Sequence, residues 1–328
     1  MTTMRILVIG GIQFMGREIV RRLVGRGHDV SVLHRRDHHD LGPAVRNLQA
    51  DRSDLAAVER VLGEHAFAAV FDMAYDWQKG TPAGQVEATA RACGSRLQRY
   101  VFMSSTAAYG GGLDRREDDP LAPDDVPNPY VQHKAMAERA LFRLHAEAGL
   151  PVVTFRPPFV YGPRQPFYRE QFFWDRLCDG RPILLPDGGT ALTQWVYVDD
   201  VAEASVRALE VPEAAGQAFN IAHDPLTQRA FVEALARAAG LDPALVPVPR
   251  SDIQAAGGQL FAGNLYFGEY LDLPPMTQVV AKVTRVLGVA PIAIEDGLRR
   301  SYEWYRAQPR RPVDYAFEDR LLAGRSHR

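Results

Sequence analysis

The sequence predicts an α/β fold: a doubly wound parallel sheet followed by a smaller C-terminal α/β region. Three observations lead to this prediction. Short apolar runs alternate with amphipathic stretches over residues 5–155, a glycine-rich turn follows the first run, and residues 157–190 contain six prolines and several aromatics. Alternation of this kind favours parallel strands joined by right-handed crossovers, with helices on both faces.

The periodicity of apolar residues places the individual elements. The first helix shows the pattern, because Ile19, Val20 and Leu23 fall on one face. Strands are predicted over residues 6–9, 30–33, 68–73, 100–103 and 152–155, and helices over 16–26, 55–62, 85–97, about 130–148 and 294–305. The stretch 110–129 is rich in Gly, Pro and Asp and is predicted to be an exposed connection.

Composition argues against several classes of protein. The 38 basic and 40 acidic residues give a net charge of −2, which provides no general attraction to nucleic acid or anionic membranes. Two cysteines provide no disulfide framework, and the loop residues His38 and His39 have no spaced partner, so we predict no metal site. No apolar run approaches the roughly 18 residues that span a bilayer. We expect a cytoplasmic protein without a membrane segment.

The turn after the first strand reads Gly-Gly-Ile-Gln-Phe-Met-Gly over residues 10–16. A first glycine permits a tight turn, a last one permits close helix–strand packing, and a helix amino end binds a pyrophosphate. This context predicts a Rossmann dinucleotide-binding fold. Gln13 stands where the fingerprint has glycine. The candidate cofactor residues here are Gly10, Gly11, Gln13, Phe14, Met15 and Gly16.

The second strand ends at His34, Arg35 and Arg36, where NAD sites usually carry a carboxylate for the ribose. Two arginines suit the 2′-phosphate of NADP, so NADP is favoured and NAD is the alternative. A solvated basic loop explains the same residues, and Asp37 is close by. Further on, Asp51 and its neighbour Arg52 are candidates for the adenosine end, although helix capping accounts equally well for this acidic stretch.

Tyr130 and Lys134 are four residues apart, which places a phenol and an ammonium on one helix face. Asn128 and Pro129 suit an N-cap and a first helical position. The ammonium favours the phenolate, as a general acid/base requires, and the same lysine can hold the nicotinamide ribose.

The strand over 100–103 delivers Ser104, Ser105 and Thr106 at its carboxyl end, which is the ligand-binding edge of a parallel sheet. A hydroxyl at this edge can hydrogen-bond a reacting carbonyl oxygen. A serine-rich strand end is also common as plain structure. With Tyr130 and Lys134, these residues predict a catalytic site.

These motifs resemble the extended short-chain dehydrogenase/reductase family, also called the NAD-dependent epimerase/dehydratase family. The resemblance rests on residues 10–16, 100–110, 130–134, 156–163 and 195–202 in family order. It implies an active-site hydroxyl at Thr106, an acid/base at Tyr130 and a supporting Lys134. It also implies that Pro157, Phe159 and Val160 line the nicotinamide. Further cofactor candidates at the strand ends are Met73, Ala74 and Ser104.

The resemblance implies two domains. An NAD(P)-binding Rossmann domain takes residues 1–163 with a return through about 192–222, and a substrate-binding domain takes 164–191 and 223–328. Two departures stand out. Gln13 resembles the subgroup containing chloroplast stem-loop-binding proteins, and alanines at 107 and 108 replace the acidic pair of sugar dehydratases. Dehydration through such a pair is therefore disfavoured.

We expect an oxidoreductase or isomerase that acts by hydride transfer at a secondary alcohol or ketone, with a sugar or nucleotide sugar as substrate. An epimerase and a reductase remain alternatives, as do an RNA-binding or RNA-processing protein and a non-catalytic NADP sensor. The net charge disfavours a nucleic-acid partner. The resemblance makes a homodimer one option. The candidate substrate residues are Tyr75, Ser105, Tyr109 and Tyr168, and Trp77 is a further pocket candidate.

Overall fold

The structure, a computed structural model, describes residues 2–94 and 97–324. Its strands are β1 Arg5–Ile9, β2 Asp29–His34, β3 Val45–Gln49, β4 Ala69–Asp72, β5 Arg99–Met103, β6 Gly112–Arg115, β7 Val152–Arg156, β8 Phe159–Tyr161, β9 Ile183–Pro186, β10 Leu192–Thr193, β11 Trp195–Tyr197, β12 Gln217–Asn220, β13 Leu226–Thr227, β14 Leu245–Val248 and β15 Met276–Gln278. Its helices are α1 Phe14–Gly25, α2 Leu55–Glu64, α3 Ala83–Ala92, α4 Pro129–Ala148, α5 Glu170–Cys178, α6 Val198–Glu210, α7 Gln228–Ala239, α8 Arg250–Ala255, α9 Ala281–Leu287, α10 Ile294–Arg306 and α11 Ala316–Ala323.

The chain divides into two compact units. The first contains Met1–Val160, Val198–Ala222 and Gln278–Pro291, and the second contains Tyr161–Tyr197, His223–Thr277 and Ile292–Arg328. Residues 278–291 thus fall in the first unit, whereas the sequence placed them in the second. The reason is tertiary packing: α9 packs on α6, and Lys282 donates a hydrogen bond to the Ala218 carbonyl at 2.9 Å.

The first unit is built on a seven-stranded sheet in the order β12-β7-β5-β4-β1-β2-β3. All six pairings are parallel, which confirms the predicted fold class. The strand order reverses between β1 and β4, where Ile9 lies opposite Asp72 and, on its other side, Leu33. Ligands of doubly wound sheets bind at the carboxyl ends of the strands at such a reversal.

The central strands form because their residues are almost continuously apolar, as a sheet covered on both faces requires. Ile6, Leu7 and Val8 are wholly buried, and so are Val101 and Val153. Strand β3 was not predicted. It lies at the sheet edge, where the half-polar sequence VRNLQ pairs with β2 and only its first residue is buried.

Helix boundaries follow local chemistry. Helix α4 begins after Asn128, whose side chain accepts hydrogen bonds from the backbone of Tyr130 and Val131, and it ends at Gly149 with φ +70°. Helix α3 ends at Ala92, earlier than the predicted 97; residues 95 and 96 lie outside the described part of the chain. The connection 110–129 contains the short strand β6.

The second unit has a mainly helical core in which α7 packs against α5 and α10. Trp174 donates its indole N–H to the Leu235 carbonyl at 3.2 Å, and Trp195 stacks on Phe231 with ring centroids 3.6 Å apart. Strands β9 and β14 pair in parallel beside these helices. Within residues 2–94 and 97–324, no helix combines the length and apolar character that crossing a membrane requires.

Candidate active site

The turn after β1 depends on three glycines. Gly10 has φ +79°, and its N–H donates to the Leu33 carbonyl at 3.0 Å. A Cβ on Gly16 would lie 2.4 Å from the Gly10 carbonyl oxygen, and one on Gly11 would lie 2.7 Å from Val32. Glycine therefore permits the close approach of helix, turn and sheet that the sequence predicted.

Helix α1 presents its amino end at this turn. Its first backbone bond of the i to i−4 type runs from Arg17 N–H to the Gln13 carbonyl at 3.2 Å. The side chain of Gln13 caps none of the described backbone. The N–H groups of Phe14, Met15 and Gly16 precede that first bond, so the helix end has the donors and the dipole that bind a pyrophosphate.

The end of β4 borders the same turn. Met73 N–H donates to the Ile9 carbonyl at 3.0 Å, and a Cβ on Gly10 would touch the Cβ of Ala74 at 3.0 Å. The predicted cofactor residues Met73 and Ala74 are thus placed beside the phosphate turn, at the reversal of strand order.

The end of β2 carries a histidine and two arginines. His34 Nδ1 accepts the N–H of Arg36 at 3.1 Å, and the buried ring also interacts with the side chain of Asn47. Burial lowers the pKa of His34, so the ring is neutral at pH 7. Arg35 lies 3.2 Å from Asp76 in an exposed ion pair, and Arg36 is exposed.

The loop after β3 makes its contacts within the protein. Asp51 accepts the backbone N–H of Ser53 at 2.9 Å and its hydroxyl at 2.7 Å, and these bonds lower the pKa of Asp51. Arg52 forms a buried ion pair with Asp72, which also accepts the hydroxyl of Tyr100 at 2.7 Å. Arg52 thus has a partner inside the fold, and cofactor roles for Asp51 and Arg52 stay predictions.

The hydroxyls of the two serines after β5 form hydrogen bonds with other groups of the protein. Ser104 donates to the carboxylate of Glu138, and Ser105 Oγ accepts the N–H of Ala107 at 3.1 Å. Both hydroxyls therefore stabilise the strand end, and their predicted contacts to cofactor and substrate stay predictions.

Thr106 differs from these serines. Its backbone N–H donates to the Pro157 carbonyl at 3.1 Å, but its hydroxyl is buried with no hydrogen-bond partner in the described part of the chain. Phe159 and Val160 follow Pro157 in β8, half-buried and buried. Because buried polar atoms are normally satisfied, an unmatched hydroxyl at this sheet edge fits a ligand-binding role.

Tyr130 and Lys134 share one face of α4, as their spacing predicts. The Lys134 ammonium donates to the Met103 carbonyl at 2.7 Å, which ties the helix to the end of β5. It lies 5.8 Å from the centre of the Tyr130 ring and 5.0 Å from that of Phe102. The helix also packs on the short turn Thr106–Tyr109, so Lys134, Tyr130 and Thr106 belong to one edge of the sheet.

Burial changes the acidity of Lys134. The side chain is 5% exposed, and loss of hydration lowers the pKa of Lys134 to about 8, against the opposing effect of Asp72. The residue is thus a cation at pH 7, close to the range in which it can lose its proton.

Three aromatic side chains, Tyr75, Trp77 and Tyr130, form what we call the aromatic cluster. Trp77 stacks on Tyr130 with centroids 4.9 Å apart and planes at 21°. Tyr75 meets Tyr130 edge-on at 4.8 Å and Trp77 at 5.0 Å. The hydroxyl of Tyr75 is 3.1 Å from Nδ1 of His133. The sequence did not identify His133 as a site residue, and its position between Tyr130 and Lys134 was the one available signal.

Behind the site lies a polar group that we call the Glu138 network. Glu138 accepts bonds from Arg156 at 2.7 Å and from Thr154 at 3.0 Å. Arg156 also donates to the hydroxyl of Tyr109 at 2.7 Å, and Tyr109 donates to Asn220 at 2.7 Å. No pattern in the sequence predicted this network. It places the predicted substrate residue Tyr109 among protein partners, and substrate contact by Tyr109 stays a prediction.

The remaining substrate candidate, Tyr168, belongs to the second unit. Its hydroxyl donates to Asp175, and burial raises the pKa of Tyr168. Its ring meets Phe172 edge-on at 5.7 Å. Substrate contact by Tyr168 stays a prediction.

The arrangement fits a dinucleotide. The glycine turn and the helix end suit a pyrophosphate, and the buried hydroxyl of Thr106 has no hydrogen-bond partner among the described residues. No group of three His, Cys, Asp or Glu side chains within the described ranges is arranged to hold a metal.

Comparison with known proteins decides the family. A model described as the NAD dependent epimerase/dehydratase family matches residues 6–222. The chain belongs to this family. It is therefore an enzyme of the extended short-chain dehydrogenase/reductase type, and its cofactor is a nicotinamide dinucleotide.

Three proteins similar to this chain carry names that describe different functions. The chloroplast stem-loop binding protein of 41 kDa b from Arabidopsis thaliana is 28% identical, over 97% of this chain and 84% of its own. The 2-alkyl-3-oxoalkanoate reductase of Stenotrophomonas maltophilia is 30% identical, over 90% and 98%. The UDP-glucose 4-epimerase of Thermus thermophilus, solved with NAD, is 26% identical with a TM-score of 0.70, over 93% and 100%.

Proposed function

We propose that this chain catalyses the reversible oxidation of a secondary alcohol to a ketone on a nucleotide sugar. The observations that support the proposal are the proximity of Lys134 to Tyr130 on α4, the tie of Lys134 to the end of β5, and the unmatched hydroxyl of Thr106 just after that strand. The hydroxyls of Ser104, Ser105 and Tyr100, by contrast, have partners in the protein.

In the proposed reaction Tyr130 is the general acid/base. During oxidation its deprotonated oxygen accepts the proton of the substrate hydroxyl, the C–H bond on the same carbon breaks, and a ketone forms. The nicotinamide, when bound, accepts that hydride or supplies it in reduction. Lys134, anchored by the Met103 carbonyl, stabilises the phenolate by its charge, and Thr106 donates its hydroxyl to the substrate oxygen.

The sugar part of the proposal draws on the relatives. One is named for a UDP-glucose epimerisation and another for the reduction of an oxo compound, so alcohol–ketone chemistry is common to both names. Tyr130, Lys134 and Thr106 are suited to that shared step and so support the proposal. A ketone that is reduced again on its other face gives an epimerase, and one that leaves gives a reductase.

The proposal is tested by incubating the protein with NAD⁺ or NADP⁺ and a panel of UDP- and dTDP-hexoses, with absorbance at 340 nm and proton NMR as readouts. We expect turnover in wild type and a loss of roughly 10²–10⁴-fold in Tyr130→Phe, since general acid–base catalysis contributes that much. Retained cofactor binding in Tyr130→Phe is the control. An active Tyr130→Phe variant would contradict the mechanism.

We further propose that NADP is preferred, with NAD as the alternative. The support is the pair Arg35 and Arg36 at the end of β2, where no carboxylate stands. A 2′-phosphate must compete with Asp76 for Arg35, but an exposed ion pair contributes only about 0–1 kcal/mol.

The cofactor preference is tested with the double variant Arg35→Ala/Arg36→Ala. Each lost charge-assisted bond contributes roughly 1.5–3 kcal/mol, so NADPH binding should weaken by about tenfold or more while NADH binding changes little. Mass spectrometry of nucleotide released on denaturation gives an independent check. Tightly retained NAD would overturn the preference and point to an epimerase.

A second candidate function is RNA binding, favoured by the 28% identity with the stem-loop binding protein over nearly the whole chain. The net charge of −2 and the Tyr130–Lys134 pair argue against it. A gel shift with stem-loop RNA that weakens steeply with salt would support this alternative.

A further inference from the structure

Trp77 lies in the loop after β4, stacked on the proposed acid/base Tyr130. Although one face of its indole is covered by that ring, 52% of the residue is exposed. Trp174 and Trp195 are, by contrast, 1% and 0% exposed. A single exposed hydrophobic residue is common on protein surfaces, so the observation that bears on function is the stacking of this indole on Tyr130.

The loop conformation does not depend on burial of the indole. Asp76 accepts the N–H groups of Gln78 at 2.9 Å and Lys79 at 3.0 Å, and its own N–H donates to the Thr81 hydroxyl at 2.9 Å. These bonds fix the backbone on both sides of Trp77, so the loop holds the indole in place as an exposed surface.

A second anchor comes from helix α4. Gly80, with φ +76°, lies so close to His133 that a Cβ there would be 2.5 Å from the imidazole. The same imidazole is hydrogen-bonded to Tyr75, whose ring meets both Trp77 and Tyr130 edge-on. The aromatic cluster is therefore held from the helix that carries Tyr130, which keeps Trp77 in register with the acid/base.

We propose that Trp77 is a specificity-determining residue whose exposed indole stacks on the C–H face of the substrate's hexose ring. This inference rests on the proposed function. A pyranose ring has a flat face of C–H groups, which pack against an aromatic π-face and are attracted by its negative charge density, whereas its hydroxyls project from the rim. Stacking fixes the plane of the sugar beside Tyr130 and leaves the rim alcohol to be presented to the phenol.

The test compares binding of UDP-glucose and of UDP to the NADP⁺-loaded protein by isothermal titration calorimetry. UDP lacks the hexose, so its affinity reports the nucleotide contacts without those of the sugar. We expect Trp77→Ala to weaken UDP-glucose binding by about tenfold, as loss of an aromatic stacking contact implies, and to leave UDP binding unchanged. Trp77→Phe keeps a π-face and should stay within about threefold of wild type.

Phe261→Ala is the matched control, because Phe261 is a similarly exposed aromatic, at 51%, in the second unit. It should bind both ligands as wild type does, and thermal unfolding checks that each variant folds. Equal UDP-glucose affinity in wild type and Trp77→Ala would overturn the proposal, as would a loss of UDP affinity in Trp77→Ala as large as the loss of UDP-glucose affinity. Trp77-dependent binding without Tyr130-dependent hydride transfer would refute the proposed function and still support the stacking role.

Discussion

Two polar groups occupy neighbouring turns of helix α4, and they are built in opposite ways. Around Glu138 the donors are paired: Arg156, Thr154 and Ser104 all donate hydrogen bonds to its carboxylate. One turn earlier, Lys134 has a single carbonyl partner, and the nearby hydroxyl of Thr106 has none among the described residues.

This difference in hydrogen bonding distinguishes residues that support the fold from candidate ligand-binding residues, even when no ligand is bound. Leaving a buried donor or acceptor unmatched costs about 1–3 kcal/mol, so a fold keeps such atoms where something else will satisfy them. The Glu138 network pairs its polar groups within the protein, whereas the group around Lys134 includes the unmatched hydroxyl of Thr106. Changes to the two groups should therefore separate stability from activity.

The largest effect is expected from Lys134→Met. Loss of the cation beside Tyr130 removes electrostatic support for the phenolate, so turnover should fall by roughly 10²–10⁴-fold. The rate is measured with whichever nucleotide sugar wild type converts. Because methionine fills a similar volume, urea unfolding should stay cooperative, and near-normal turnover would show that the cation is dispensable.

Arg156→Met tests the Glu138 network and is expected to lower the stability of the protein. It leaves Glu138 charged, buried and without its cationic partner, which should lower the free energy of unfolding by about 3–5 kcal/mol. The double variant Arg156→Met/Glu138→Met should recover part of that loss, because it removes the unpaired charge. A single variant as stable as wild type would mean that the ion pair contributes little.

The pH dependence of stability should distinguish Lys134. Its pKa is about 8 in the folded chain and near 10.5 when unfolded, so folding disfavours the charged form. Below pH 8 both states are protonated and the penalty of about 3 kcal/mol is fully present; as pH rises from 8 to 10.5 the unfolded state holds more protons and the penalty disappears. Wild type should therefore gain stability relative to Lys134→Met across this window. A stability difference between wild type and Lys134→Met that does not change with pH would exclude a lowered pKa for Lys134.

The smallest effects come from a pair of hydroxyl deletions. Ser104→Ala removes a partner of Glu138 and should lower unfolding free energy by about 1–2 kcal/mol. Thr106→Val is nearly isosteric and removes no hydrogen bond seen among the described residues, so stability should change by less than about 1 kcal/mol while turnover falls. Chemical denaturation and rate measurements on both variants check this contrast. Equal losses of unfolding free energy in Ser104→Ala and Thr106→Val would contradict it.

Much of the first unit could be predicted from sequence because its signals are local. Apolar runs mark the buried strands, and the glycine turn and the Tyr130–Lys134 spacing depend on residues close together in the chain. Strand β3 was missed because an edge strand needs few apolar residues, and 278–291 because its packing on α6 is a tertiary contact. The Glu138–Arg156 pair lacked a signal for the same reason, since 18 residues and a change of element separate them.

The orientation of His34 has a consequence for what the end of β2 can accept. Because Nδ1 receives the Arg36 N–H, the neutral ring carries its proton on Nε2. A carboxylate at this position can only accept hydrogen bonds, whereas the Nε2–H of this imidazole can only donate one. Replacing His34 by aspartate would therefore exchange a donor for an acceptor as well as neutrality for charge.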